Sequence, residues 1–545
     1  MASLRGYYST RNTVTPQTEA IPGKEHLMAT NNAGGVSFKL DDWKRLERFL
    51  ILGTEGGTYY VTERKLTRDN AKTIEGLLKA DGLRVIEKVV EISKEGRAHK
   101  NDAALFVLAM AAAAEDPKVR QAALAALPEV ARTGTHLFTF VEYVEGFRGW
   151  GRGLKRAVTS WYLNMDANRL AYQLIKYQQR NGWSHRDLLR LSHPKIDNAE
   201  INTLFKWCVD GMDGVKAQGC EHLLHRQVVA MHDLHRTGDL KTAIALIKDH
   251  ALPREAVPTQ FLNKPEVWDA MLPSMGLTAM IRNLGNMGKV GLLVDGSQAG
   301  QFIRNQLLDA ELLAKSRVHP LQILAALLTY NSGRGYRGSG QWSVVQPVVD
   351  ALDQAFYASF KNVPVTGKAF LLGVDVSGSM SSPVSGLPFL SCRTAAAAMA
   401  LVTANVESNY AIYGFTAGSG GWGSRDTGFT DLKISPRMRL DQVEAVMSNQ
   451  EFGGTDCSLP MVWALKNKLK FDVFGVYTDN ETWAGNIQPA EALRQYRDAF
   501  GPAKQVVVGM TASNFTIADP TDTNALDVVG FDASTPQAIA HFVSE

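Results

Sequence analysis

Near residue 361 the hydrophobic period of this 545-residue chain changes, and a chain that changes period must build two kinds of layer. From about Asp41 to Lys361, stretches such as DDWKRLERFLIL, DAALFVLAMAAAAE, PKVRQAALAALPEVAR, AEINTLFKWCVDGM and QFIRNQLLDAELLA place apolar residues at three- and four-residue steps. That is the spacing of one helix face. Pro117 stands where a first helical turn tolerates proline. Short polar turns join these helices, as in stacked helical pairs, and no strict repeat period is present. A degenerate HEAT-type stack and an irregular all-α domain both fit this pattern. After the glycine-rich NSGRGYRGSGQW and one more helix, short apolar runs alternate with helices: KAFLLGVD, NYAIYGF, FDVFGVYTD, KQVVVGM and ALDVVGF. Continuous apolar strands separated by helices predict a parallel sheet covered on both faces. The fold class expected is α plus α/β.

A chain this long exceeds one compact core. We expect an N-terminal polar arm over 1–40, a helical domain over 41–361 and an α/β domain over 362–545. No run of about 18 apolar residues is present, so no membrane span is expected. Cys208, Cys220, Cys392 and Cys457 form no C-x-x-C pair, which suits reduced thiols in a cytoplasmic protein. The net charge of +3 hides an asymmetry: residues 1–361 carry 46 Lys and Arg against 37 Asp and Glu, and residues 362–545 carry 12 against 18. Within the first part, residues 148–195 hold ten basic residues and two acidic ones. A local excess of this size suits an anionic partner.

Ligands of parallel sheets bind beyond the carboxyl ends of the strands. There the run AFLLGVDVSGSM ends in D-x-S-x-S, Asp375, Ser377 and Ser379. FGGTDCS places Thr455 in a glycine-rich loop before a helix, and FGVYTDNE places Asp479 at another strand end. Hydroxyls, carboxylates and water suit a hard cation such as Mg²⁺. Ser377, Ser379 and Thr455 would be neutral ligands, with Asp375 and Asp479 binding directly or holding coordinated waters. So few protein charges would leave the cation electrophilic toward an acidic group of a partner. With these residues in this order, 365–545 resembles a von Willebrand factor A-type domain with its metal-ion-dependent adhesion site.

In the basic segment, Arg169, Lys176 and Arg180 fall at i, i+7 and i+11 and are expected on one helical stripe, with Leu170, Leu174 and Ile175 turned to a core. Ser184 and Asp187 make a capping-box-like start that puts His185 and Arg186 in a first turn, with Arg190 one turn on. Tracking positive charge suits a phosphate backbone, with Arg148, Arg152 and Lys155 adding to it. Trp150, Trp183 and Tyr177 serve either base stacking or the core. KYQQRNGWSHRDLLRLSHPK resembles the TROVE module, as do LGTEGGTYYVTERKL, FRGWGRGLKRAV, LPREAVPTQFL and AMIRNLGNMGKV. A TROVE module followed by an A-type domain resembles the Ro autoantigen family nearly end to end. The resemblance implies a HEAT-like ring of helices whose ends the A-type domain joins. It also implies small structured Y RNAs on a basic outer surface, where His185 matches the contact region, and single-stranded 3′ ends of misfolded or precursor non-coding RNA in a central hole. Arg282, Asn283 and Lys289 are the candidates for that hole or its rim.

The run CEHLLHRQVVAMHDLHR gathers Cys220, His222, His225, His232 and His235, but spacing along one helix rarely closes a tetrahedral zinc site. No P-loop, H-E-x-x-H or two-metal carboxylate cluster is present, so no catalysis is expected. The expected protein is a monomeric, RNA-binding quality-control component of a ribonucleoprotein. The alternative is a metal-dependent scaffold that recruits an acidic protein ligand, an exoribonuclease among the candidates.

Overall fold

The structure, a computed structural model, describes residues 14–336, 340–360, 363–417, 428–449 and 453–545. The first 13 residues of the expected arm, the tip of the glycine-rich loop and the expected boundary at 361–362 lie outside the described residues.

Helices occupy the chain from Asp42–Leu52 to Gln346–Ala358. Asp41, Asp116 and Asp166 each accept a hydrogen bond from a first-turn N–H, which starts helices where the sequence places short polar turns. Helices pack on the next but one as well as the next. Asp102–Ala113 lies against Gly134–Phe147, and Pro117–Val130 against Arg152–Leu163. Helix Asp102–Ala113 is apolar nearly all round because Glu63–Glu95, Pro117–Val130 and Gly134–Phe147 enclose it. The array then returns to its start. His319, capping helix Pro320–Asn331, donates to the Arg97 carbonyl (3.0 Å), and Gln322 donates to the His99 carbonyl (2.8 Å). The helices therefore form a closed circuit.

Residues 14–40 are not a free arm. Strands β1 (Met28–Thr30) and β2 (Val36–Lys39) pair antiparallel and bury Ile21, Met28, Val36 and Phe38. A polar composition concealed this small apolar set, whose cover comes from the other end of the chain. Between the helices, β3 (Gln179–Arg180) and β4 (Trp183–Ser184) form a short hairpin.

The α/β domain holds β5 (Phe370–Asp375), the hairpin β6 (Pro383–Val384) and β7 (Leu387–Ser391), then β8 (Tyr410–Phe415) and β9 (Phe429–Asp431). It continues with β10 (Val473–Thr478), β11 (Lys504–Gly509), β12 (Phe515–Thr516) and β13 (Ala525–Val529). The main sheet has the order β13-β11-β10-β5-β8-β9, parallel except for β9, while β12 joins β2. From β5 the chain moves to β8 on one side and later to β10 on the other, so the strand order reverses between β5 and β10. Such a reversal opens the ligand crevice of open α/β sheets.

Helix Cys392–Val406 is buried from Cys392 to Ala404, because one side meets the sheet and the other belongs to the core shared with the helical circuit. The opposite sheet face has its own core around Leu371, Phe474 and Tyr496. Polar contacts reinforce the joint. Arg48 is 1% exposed, pairs with Asp527 at 2.7 Å and donates to the Phe515 carbonyl at 2.8 Å. A Cβ at Gly509 would stand 2.6 Å from that guanidinium. Arg97 pairs with Asp532 at 2.6 Å and Glu47 at 2.5 Å, and His99 donates to the Ser385 carbonyl at 2.6 Å.

Two outcomes follow from this joint. Arg97→Met strands the buried Asp532 carboxylate, and chemical denaturation should show a loss of about 3 kcal/mol that Asp532→Asn in the same chain partly restores. Burial, reinforced by their neighbours, lowers His99 to about 3 and, by burial alone, His319 to about 4, both from an ordinary 6.5. The unfolded chain therefore takes up protons that the folded chain refuses. The contribution of these two histidines is complete above about pH 6.5 and is lost as pH drops toward 4, by at most about 1.4 kcal/mol per pH unit for each. In thermal denaturation between pH 7 and 5, the Tm of the wild-type chain relative to that of His319→Asn should fall as pH drops; a constant difference would contradict the linkage.

Candidate metal centre and nucleic-acid interface

Asp375 is the last residue of β5, and Ser377 and Ser379 lie on the turn after it, where Gly378–Ser381 forms a single 3-10 turn. Asp479 follows β10, the neighbour of β5, and Thr455 precedes helix Leu459–Lys466. The loops meet at the carboxyl edge beside the reversal of strand order. Asp375 accepts from Thr478 Oγ1 (2.7 Å) and from the Ser377 N–H (2.9 Å). The Ser377 and Ser379 hydroxyls stand 3.1 Å apart, and Asp479 accepts from the Glu481 N–H at 3.0 Å. Thr455 Oγ1 is buried with no hydrogen-bond partner. Burial, then the charge of Asp479, pushes Asp375 up to about 7, and burial raises Asp479 as well. An orphaned hydroxyl and two buried carboxylates of like charge are what a hard cation would satisfy. Among the described residues no three His, Cys, Asp or Glu side chains are placed to hold a metal, so a cation here would depend on the hydroxyls.

The surroundings of this centre were hidden in the sequence. Asn32 donates to both oxygens of Glu481 (2.7 and 2.6 Å), Asn31 to the Thr482 carbonyl (2.7 Å), and Gln17 to Asp456 (2.7 Å). The N-terminal segment thus holds the loops carrying Thr455 and Asp479. Asn480 turns the chain after Asp479 with φ +66°, a conformation asparagine tolerates. Tyr60, from the loop between the first two helices, lies close enough to feel the site: burial, then the charge of Asp479, raises its phenol above the ordinary 10. All five candidate ligands are 3% exposed or less.

The basic segment divides between surface and interior. Arg148, Arg152, Arg169, Arg180, Arg186 and Arg190 are exposed and Lys155 is half-buried, and none forms an ion pair among the described residues. The capping box of Ser184 and Asp187 is present, and Arg186 and Arg190 lie exposed one turn apart. Two expectations need correction. Arg180 does not share a helical stripe with Arg169 and Lys176, because the helix ends at Lys176 and Arg180 lies on β3. The Asn181–Gly182 turn, with φ of +53° and +78°, closes that hairpin, and this N-G pair was the legible signal. His185 is 2% exposed, packed against Phe138 and hydrogen-bonded to Tyr162 Oη at 2.7 Å. Burial lowers it to about 3, so it is a neutral, buried residue in this structure and not part of the exposed basic surface. Lys176 is half-buried, its ammonium bonded to Tyr172 Oη.

The structure gathers Arg152, Lys155, Arg156, His193 and Lys195 along one groove of about 940 Å³, of which Arg156, His193 and Lys195 went unmarked in the sequence. Trp150 and Trp183 stack at 6.1 Å, half-exposed beside it in the chain. Arg282 and Lys289 are exposed at the ends of helices Leu277–Arg282 and Leu284–Lys289. Asn283 links these helices, donating to the Ala279 carbonyl (2.8 Å) and accepting from Asn286 (2.9 Å). The histidine run is not one helix. His225 caps helix Arg226–Arg236 and bonds Asn168, and His235 donates to the Ala256 carbonyl. No helix among the described residues is long and apolar enough to cross a membrane.

Comparison with known proteins agrees with this architecture. The TROVE domain model matches residues 29–329 and the Ro60 vWA domain model residues 369–543. The RNA-binding protein RO60 of Deinococcus radiodurans is 41% identical over 535 residues, 97% of each chain. The protein of the same description from Caenorhabditis elegans is 37% identical over 589 aligned positions, covering 94% of this chain and 90% of that one. The crystal structure of the Deinococcus radiodurans Ro (Rsr) protein superposes with a TM-score of 0.68 at 41% identity, covering 92% of this chain and 99% of that one. With both domains present in this order, the chain belongs to the Ro60 family.

Proposed function

We propose that this protein binds RNA, small structured Y RNAs on the basic surface of residues 148–195 and single-stranded 3′ ends of misfolded or precursor non-coding RNA within the helical circuit, and serves RNA quality control or processing. The observation that carries this reading is the set of exposed arginines without carboxylate partners among the described residues, together with the cation-lined groove beside them. Cations left free on a folded surface cost repulsion that a phosphate backbone relieves. The names of the relatives support RNA as the partner class. The reading places the protein in the cytoplasm, as a monomer, without catalytic activity of its own.

At the carboxyl edge, Ser377, Ser379 and Thr455 would hold Mg²⁺ with Asp375 and Asp479. Burial of all five favours a cation that ties the loops of β5 and β10 together. A second reading, an acidic protein ligand that completes the coordination shell and through which an exoribonuclease is recruited, draws on the neutral hydroxyl ligands.

Arg156→Glu, Arg190→Glu and Lys195→Glu together should weaken structured RNA at least tenfold near physiological salt and flatten the salt dependence, with circular dichroism unchanged. Intact binding by a folded variant would contradict the placement of the surface. Millimolar Mg²⁺ should raise the Tm of the wild-type chain and chelator should lower it, while Asp375→Ala should respond to neither. An equal response in the variant would remove the metal from this site.

A further inference from the structure

The amino edge of the sheet, at the far end of the strands from the candidate metal centre, carries its own concentration of positive charge. Strands β5 and β10 are six residues long, so about 20 Å separate this edge from Asp375 and Asp479. Residues 362–545 carry 12 Lys and Arg against 18 Asp and Glu, but residues 463–471 hold three lysines and no acid. These are Lys466, Lys468 and Lys470, at the end of helix Leu459–Lys466 and on the turn after it. Lys368 joins them from the approach to β5, where the Ala369 carbonyl accepts from the Asp472 and Val473 N–H groups (2.9 and 3.1 Å). All four lysines are exposed, and none forms an ion pair among the described residues. Two carboxylates beside them are already engaged. Asp472 accepts from the Ala369 N–H at 2.9 Å, and Glu407 from those of Thr366 and Gly367 at 2.7 and 3.0 Å. The helix dipole accounts for a lysine in the last turn, Lys466, but not for the other three.

The turn is held in place. Lys468 takes φ +55°, and the Leu469 N–H returns to the Ala464 carbonyl at 3.0 Å. Tyr496, buried on helix Pro489–Phe500, accepts from the Phe471 N–H at 2.6 Å and donates toward the Leu469 carbonyl at 3.1 Å. Two apolar side chains are nevertheless left in solvent at this edge: Leu469 is 41% exposed and Val365 is 68% exposed. Large apolar side chains elsewhere are mostly buried.

We propose that this edge docks an acidic, amphipathic segment of a partner protein, with Asp and Glu side chains on the four ammonium groups and apolar residues over Leu469 and Val365. Lysines interleaved with exposed aliphatic groups on a fixed turn complement such a segment in both charge and polarity. A phosphate backbone would satisfy the ammonium groups but leave the aliphatic ones uncovered, and neither exposed apolar residue here offers a ring for a base to stack on. A second copy of this chain across a two-fold axis would set lysines against lysines. Because recognition at this edge needs no cation and lies a strand's length from the metal centre, both ends of the sheet can be occupied at once.

The test uses the full chain and a short peptide of Asp, Glu and Leu that carries fluorescein and a photoactivatable benzophenone. The wild-type protein should bind it with an affinity that falls as salt rises, and photocrosslinks should map to residues 363–369 and 459–473. Lys368→Gln, Lys466→Gln, Lys468→Asn and Lys470→Gln together should weaken the peptide about tenfold. Val365→Ser with Leu469→Ser should weaken it severalfold with the salt dependence unchanged. Circular dichroism and affinity for a structured RNA should be unaltered in both variants, and chelator or Asp375→Ala should leave peptide binding as it was. Equal peptide affinity in the lysine variant, no binding by the wild-type chain, or crosslinks confined to residues 148–195 would overturn the proposal. Loss of the peptide with chelator would move it to the metal edge and overturn the assignment to this one. A fall in RNA affinity as large as that for the peptide would make this an RNA surface and overturn the protein partner, while leaving the RNA-binding reading intact.

Discussion

Arg97 is the group on which the closed architecture depends. Its carbonyl accepts from His319 at the end of the helical array, and its guanidinium reaches Glu47 in the first helix and Asp532 in the α/β domain. One residue thus joins the start of the circuit, its end and the domain laid across the joint. Partial burial, at 14% exposure, makes each of these contacts count for more than a surface ion pair would. The surrounding core is continuous across the joint, so the sheet face carrying Val374 and the helices share one interior. That continuity argues against independent swinging of the two parts.

The same joint fixes what the ends of the β strands can do. The edge carrying Asp375, Ser379, Thr455 and Asp479 is bordered by the N-terminal segment through Gln17, Asn31 and Asn32. A cation bound there would tighten loops that the N-terminal segment already holds.

Much of this was legible in the chain because it depends on local period. The change from a helical to an alternating strand-and-helix pattern gave the two layers, the polar residues after β5 marked the carboxyl edge, and Ser184 with Asp187 made the capping box the spacing predicts. What escaped was orientation and distance. His185 sits in a basic stretch, but only the packing of Phe138 and Tyr162 shows that its ring points inward. Arg180 was read along a helix that ends four residues earlier, although Asn181–Gly182 announced a hairpin. The contacts of Asn32 with Glu481 and of Arg48 with Asp527 cross more than 440 positions, and no local pattern encodes them.

The central claim is that the exposed cations of residues 148–195 hold RNA. Ultraviolet crosslinking of the full chain to a structured RNA carrying a single-stranded 3′ tail, with mass spectrometry of the crosslinked peptides, tests it most directly. The account predicts stem crosslinks in peptides from residues 148–195 and their loss when salt is raised. Stem crosslinks concentrated in the acidic residues 362–545, or scattered and insensitive to salt, would contradict it.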